Sequence, residues 1–185
     1  MILEQFLLSI NETNCYVIGC TETGDAAVID PGEWDGPPAA FLREQGLRPT
    51  WILLTHGHAD HTGGVELLRK ESNARVAAHS RIPFTDMPLQ EGMTVEVGKL
   101  KLRVLETPGH TQDSLTFVIG TDAFSGDALF AGSIGGTNDE ADYRLLQQSI
   151  REKIFSLGDD IVVHPGHGSA TTVLIERLFN PFLIA

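Results

Sequence analysis

Short, almost unbroken apolar runs alternate along this chain with longer stretches whose apolar positions recur at helical spacing. The runs "AAVID" (Ala26–Asp30), "WILLT" (Trp51–Thr55), "LTFVI" (Leu115–Ile119) and "IVV" (Ile161–Val163) predict strands covered on both faces, since a strand with one wet face would alternate. "MTVEVGKLKLRVLE" (Met93–Glu106) does alternate: Leu100, Leu102 and Val104 are separated by Lys101 and Arg103, and Gly98-Lys99 marks a hairpin turn. Helices are predicted over Pro38–Gln45, Val65–Glu71 and Glu140–Leu157, with a short fourth after Thr171. In the third, Leu146, Ile150, Ile154 and Leu157 fall on one face. "SRIPFTDMPLQEG" (Ser80–Gly92), with two prolines and mixed polarity, reads as a surface excursion. The pattern is α/β, sheet layered against sheet with helices outside.

Composition narrows this picture. A chain of 185 residues, 42% hydrophobic, suits one sizeable core and a single domain over 1–185. Its first residues, Met1–Ser9, lack the basic lead and small-residue cleavage site of a secretory signal, and no apolar run reaches membrane-spanning length. A soluble, cytoplasmic protein without a membrane partner is expected. Acidic residues number 25 against 13 Lys plus Arg, a net charge of −12 that repels phosphate backbones and argues against nucleic acid as a partner. Cys15 and Cys20 lie an odd distance apart in a strand-like segment, so their side chains point to opposite faces and are expected as free, buried thiols.

The candidate chemistry collects at strand ends. After "WILLT" come His56, His58, Asp60 and His61; after "KLRVLE" comes His110 in "TPGHT"; after "DAFSG" comes Asp127; after "IVV" comes "HPGHG" with His164 and His167. In α/β sheets ligands gather beyond the carboxyl ends of strands, so these junctions are expected to form one site. Imidazole and carboxylate without thiolate suit zinc, iron(II) or manganese. Seven ligands (His56, His58, Asp60, His61, His110, Asp127 and His167) exceed what one tetrahedral ion uses, whereas two divalent ions sharing a carboxylate use them all. Such a pair lowers the pKa of a bridging water and polarises a carbonyl, which is the equipment for hydrolysing an ester-like bond in a small-molecule substrate.

In this order and at these separations, "THGHADH", "TPGHT", "SGD" and "PGHG" resemble the metallo-β-lactamase superfamily, specifically its short glyoxalase II-like (hydroxyacylglutathione hydrolase-like) branch, from about Tyr16 to the terminal "ERLFNPF". The resemblance implies a metallo-β-lactamase-like αββα sandwich of mixed sheets with helices outside. It also implies one metal, most simply zinc, on His56, His58 and His110, a second on Asp60, His61 and His167, and Asp127 bridging. Asp60 would be the catalytic base. A carboxylate at Asp127, where the thiolate-containing β-lactamases carry cysteine, implies a different activity. Gly136 stands where relatives often place an arginine, and the lysine and tyrosine that grip glutathione in full-length glyoxalase II have no counterpart.

The expected activity is therefore hydrolysis of a thioester, such as an acylated glutathione. The alternatives are a persulfide dioxygenase-like enzyme using one iron on His56, His110 and Asp127, a lactonase of similar metal content, and a non-catalytic metal-binding domain. The intact ligand set argues against the last. Among the remaining polar residues, His79 reads as a satisfied or solvent-facing histidine, and His164 as a supporting or capping residue rather than an extra ligand. Asp30 either supports a metal-bound histidine or only begins the Pro31-Gly32 turn. Asn14 and Tyr16 are expected to pack at a strand edge, and Thr107 and Thr111 to serve the hydrogen bonds of the His110 loop.

Overall fold

A computed structural model describes residues 1–34 and 36–184. Among them, six strands form a first sheet in sequence order: β1 (Ile2–Leu7), β2 (Asn14–Gly19), β3 (Asp25–Ile29), β4 (Arg48–Leu53), β5 (Arg75–His79) and β6 (Met87–Leu89). β1 to β3 pair antiparallel, and β3 to β6 parallel. The second sheet is built from β7 (Thr94–Val97), β8 (Leu100–Glu106), β9 (Leu115–Ile119) and β10 (Asp122–Gly126), followed after a small hairpin of β11 (Leu129–Phe130) and β12 (Ser133–Ile134) by β13 (Val162–Pro165) and β14 (Thr171–Thr172). Its order is β14-β13-β10-β9-β8-β7, with β10 and β13 parallel and the rest antiparallel.

Side-chain parity explains why the central strands are apolar throughout. In β3 and β4, Val28 and Ile52 point outward to α1 (Pro37–Glu44) and α3 (Val65–Ser72), where Leu42, Leu68 and Trp34 meet them. Their neighbours Ile29 and Leu53 point inward and pack against Val104, Leu115, Phe117 and Phe124 of the second sheet. That sheet's outer face carries Leu105, Ala123 and Val163, covered by Leu146, Ile150 and Ile154. Four layers result, helix, sheet, sheet, helix, and this is the αββα arrangement expected.

Three details depart from the sequence reading. The excursion Ser80–Gly92 contains β6, in which Leu89 is wholly buried and Pro88 is tolerated because the strand is short and at the sheet edge. The helix over Glu140–Leu157 is α-helical only as α4 (Glu140–Ser149), then tightens from a π turn (Ile150–Ile154) to a 3₁₀ turn (Phe155–Leu157) while keeping its apolar face on the sheet. A one-turn helix, α2 (Ala59–Thr62), lies within the histidine-rich segment, where no periodicity could announce it. The hairpin turn at Gly98 and the fourth helix, α5 (Val173–Phe179), stand as expected. Both cysteines are free and buried. No helix among the described residues is long and apolar enough to cross a membrane.

Candidate metal centre

Strand direction brings the seven residues together. β8 and β10 are both antiparallel to β9 and so run the same way, and β13 is parallel to β10, so the segments bearing His110, Asp127 and His167 leave the second sheet at one edge. β3 and β4, whose ends carry Asp30 and the His56–His61 segment, are parallel too. The ligand-capable atoms of His56, His58 and His110 lie within 4.8 Å of one another, as do those of Asp60, His61 and His167. Asp127 lies between the two groups: Oδ1 is 3.4 Å from His61 Nε2, while Oδ2 is 3.6 Å from His110 Nε2 and 3.5 Å from His167 Nε2.

Backbone must come very close for this to happen. A Cβ at Gly166 would stand 2.1 Å from Asp127 Oδ1 and 2.7 Å from His61 Cε1, and one at Gly32 would stand 1.6 Å from the Asp60 carbonyl oxygen. Only glycine fits at either point.

Hydrogen bonds fix which imidazole nitrogens are bare. The Thr55 backbone N–H donates to Asp30 Oδ1 at 2.8 Å, and its hydroxyl spends its one hydrogen on Asp30 Oδ2. The Thr55 oxygen can then only accept from His56 Nδ1, at 3.1 Å, which leaves His56 Nε2 an unprotonated lone pair. His61 Nδ1 donates to Asp30 Oδ2 at 2.9 Å, and His110 Nδ1 donates to the Gly136 carbonyl at 2.7 Å, so their Nε2 atoms too can face the cluster bare. Asp30 thus does both things considered for it: in the left-handed conformation (φ 51°) it begins the turn, and its carboxylate orients two histidines.

This donor set fits metal ions. His56 Nε2 and Asp127 Oδ1 are buried with no hydrogen-bond partner among the described residues, which would cost on the order of 1–3 kcal/mol apiece if nothing else compensated them. Facing nitrogens are 3.1 Å apart for His58 Nδ1 and His110 Nε2, and 3.4 Å for His61 Nε2 and His167 Nε2. Those spacings match the edge of a tetrahedron with bonds of about 2.0 Å, roughly 3.3 Å.

The electrostatics differ between the groups. Burial, then the neighbouring His61, holds His56 well below the ordinary histidine range, and burial followed by His110 lowers His58. Burial also opposes charge on His61, but the Asp30 carboxylate outweighs it and the net shift is upward. His167 is raised mainly by its hydrogen bond to Asp127. For Asp60 and Asp127 burial pushes upward, yet both end below the usual carboxylate range, through the Asn11 amide and His61 at Asp60, and through His167 and His61 at Asp127.

The other residues singled out lie around the cluster. His79 accepts from the Arg81 backbone N–H through Nδ1 at 3.1 Å. His164 pairs through Nε2 with Asp122 at 2.8 Å and stacks on Phe124, supporting the β10–β13 pairing and contributing no ligand to either group. Asn14 and Tyr16 both donate to the Pro165 carbonyl, holding the loop that carries His167. Thr107 bonds Thr116, and Thr111 bonds Ser114, within the His110 loop. Sequence reasoning missed Thr55, Asn11 and Thr13. Thr55 could have been suspected from its place between Leu54 and His56; "NET" carries no comparable signal.

The sequence profile of the metallo-β-lactamase superfamily matches residues 10–88 and 81–167. The chain is 34% identical over 209 residues to the hydroxyacylglutathione hydrolase GloC of Haemophilus influenzae, covering 99% of this chain and 98% of that protein. It is 33% identical to human mitochondrial persulfide dioxygenase ETHE1, over 99% of this chain and 76% of that one. Among solved structures, TTHA1623 in a di-iron-bound form superposes with a TM-score of 0.82 at 33% identity, covering 97% of this chain and all of the other. The chain belongs to the metallo-β-lactamase superfamily.

Proposed function

We propose that this protein is a binuclear metal-dependent hydrolase that cleaves thioesters of small thiols, such as an acylated glutathione. His56, His58 and His110 would hold one divalent cation and Asp60, His61 and His167 another, with Asp127 available to both. The observation that carries the reading is the position of the Asp127 carboxylate, one oxygen toward His61 and the other toward His110 and His167. Two divalent cations, zinc in the first instance, would supply hydroxide near neutral pH and polarise the carbonyl under attack.

The chain's own residues do the rest. Asp60 is partly exposed and reaches the cluster through Oδ2, 3.5 Å from His167 Nε2, so its carboxylate can take the proton of an attacking water. Asp30 and Thr55 keep His56 and His61 turned inward. A thiolate leaves without a strong general acid, and none is needed. His58 is exposed, which leaves that side of the centre open to a small-molecule substrate.

The relationship to a persulfide dioxygenase favours a second reading, a single iron and oxygen chemistry. One batch of protein separates them: metal content, release of thiol from a thioester panel, and oxygen uptake with glutathione persulfide. Thiol release with two cations bound is the expected result. Oxygen uptake with one iron and no thiol release would overturn the hydrolase.

A further inference from the structure

Between β1 and β2 the chain crosses the rim of the metal centre in a short strap, Ser9–Thr13, that the reading above does not use. Two consecutive residues without glycine's freedom, Asn11 (φ 50°) and Glu12 (φ 55°), adopt left-handed backbone there. Left-handed backbone is tolerated by asparagine but disfavoured at Glu12, and the pair persists only where its surroundings hold it. The strap is held at several points. Ser9 is bound to Glu33 through backbone and hydroxyl, Thr13 bridges to His167, and the next residue, Asn14, donates its backbone N–H to the Gly166 carbonyl at 2.7 Å.

This conformation aims two donors at one ligand. Asn11 Nδ2 donates to Asp60 Oδ2 at 3.2 Å, and the buried Thr13 hydroxyl approaches the same oxygen at 3.4 Å. That oxygen is the one turned toward His61 and His167. The strap therefore touches two of the three residues of the second group, Asp60 by side chain and His167 by backbone; its hydrogen bonds reach none of the first group.

We propose that Asn11, seconded by Thr13, is a positioning residue that determines occupancy of the second cation position by holding the Asp60 carboxylate turned toward His61 and His167. Without the amide, Asp60 keeps only the longer Thr13 contact and turns more readily toward solvent, which weakens the second group toward its two histidines. The first group keeps its three. The inference rests on the binuclear reading and adds to it what sets the number of cations.

The test uses the full chain stripped of metal and titrated with zinc against a chromophoric chelator, with final stoichiometry by plasma mass spectrometry. Asn11→Gly removes the amide while keeping a residue at ease in left-handed backbone; Asn11→Ala removes the amide and strains the strap; Thr13→Val removes the hydroxyl at constant shape. Asn11→Gly and Asn11→Ala are expected to bind the first equivalent as wild type does and the second about tenfold or more weakly. Thr13→Val should show the same selectivity, smaller. Wild-type affinity for both equivalents in Asn11→Gly overturns the proposal, as does a defect confined to Asn11→Ala, which would trace to backbone strain alone. A wild-type protein that takes up only one equivalent overturns the binuclear reading itself.

Discussion

His61 Nδ1 lies 2.9 Å from Asp30 Oδ2, and both side chains are buried. The same carboxylate receives Thr55 through backbone and hydroxyl, and Thr55 in turn receives His56. Asp30, which is not among the seven residues read from the sequence although its carboxylate also lies within 4.8 Å of His56 and His61, therefore orients an imidazole in each group. Asp30→Asn retains an acceptor and tolerates the left-handed backbone but loses the charge that favours both orientations. Zinc affinity should drop about 10–100-fold at both positions. Unaltered affinity in a competition titration would leave Asp30 as a turn residue only.

Asp60→Asn preserves shape and removes the proton acceptor. Turnover of the best thioester should fall by about 10²–10⁴, with the cation on His56, His58 and His110 retained. Steady-state kinetics beside metal analysis checks both parts. A variant with undiminished turnover would remove Asp60 from the chemistry.

Gly166 has no room for a methyl group beside Asp127 and His61. Gly166→Ala should displace one of those side chains, lower unfolding stability by about 1–3 kcal/mol and reduce the metal content of the purified protein. Denaturant unfolding with plasma mass spectrometry reads both, and stability and metal content equal to wild type would show that the loop yields freely.

Acidity should discriminate between the two cation positions. A histidine whose pKa is raised keeps its proton to higher pH, and a cation must displace that proton; this applies to His61 and His167. A histidine whose pKa is lowered stays neutral to lower pH, which applies to His56 and His58. As pH falls, the second cation should leave first, passing through a one-cation protein. Metal content after dialysis at stepped pH shows this plateau or, if both cations leave in one step, rules it out.

Much of this was legible in the chain because the signals were local or periodic. Uninterrupted apolar strands announce burial on both faces, and Val28 and Ile29 meet that expectation on opposite sides of one sheet. The seven ligand candidates stood out because each follows a strand end. What escaped is what depends on three-dimensional neighbours. β6 is three residues long and contains a proline, so no pattern could lift it out of its loop. Asn11 and Thr13 are ordinary turn residues until β1 and β2 bring them over Asp60. His164 shares a loop motif with His167, yet strand parity turns it toward Asp122.

The seven candidate ligands are divided between the halves of the sandwich: His56, His58, Asp60 and His61 follow β4, whereas His110, Asp127 and His167 follow strands of the opposite sheet. Each cation would be gripped from both sides, His110 closing one group and His167 the other. Bound ions would then act as a rivet through the two sheets and, being held only by the native chain, would raise its resistance to heat. A chelator would in consequence loosen the whole sandwich as well as silence its chemistry.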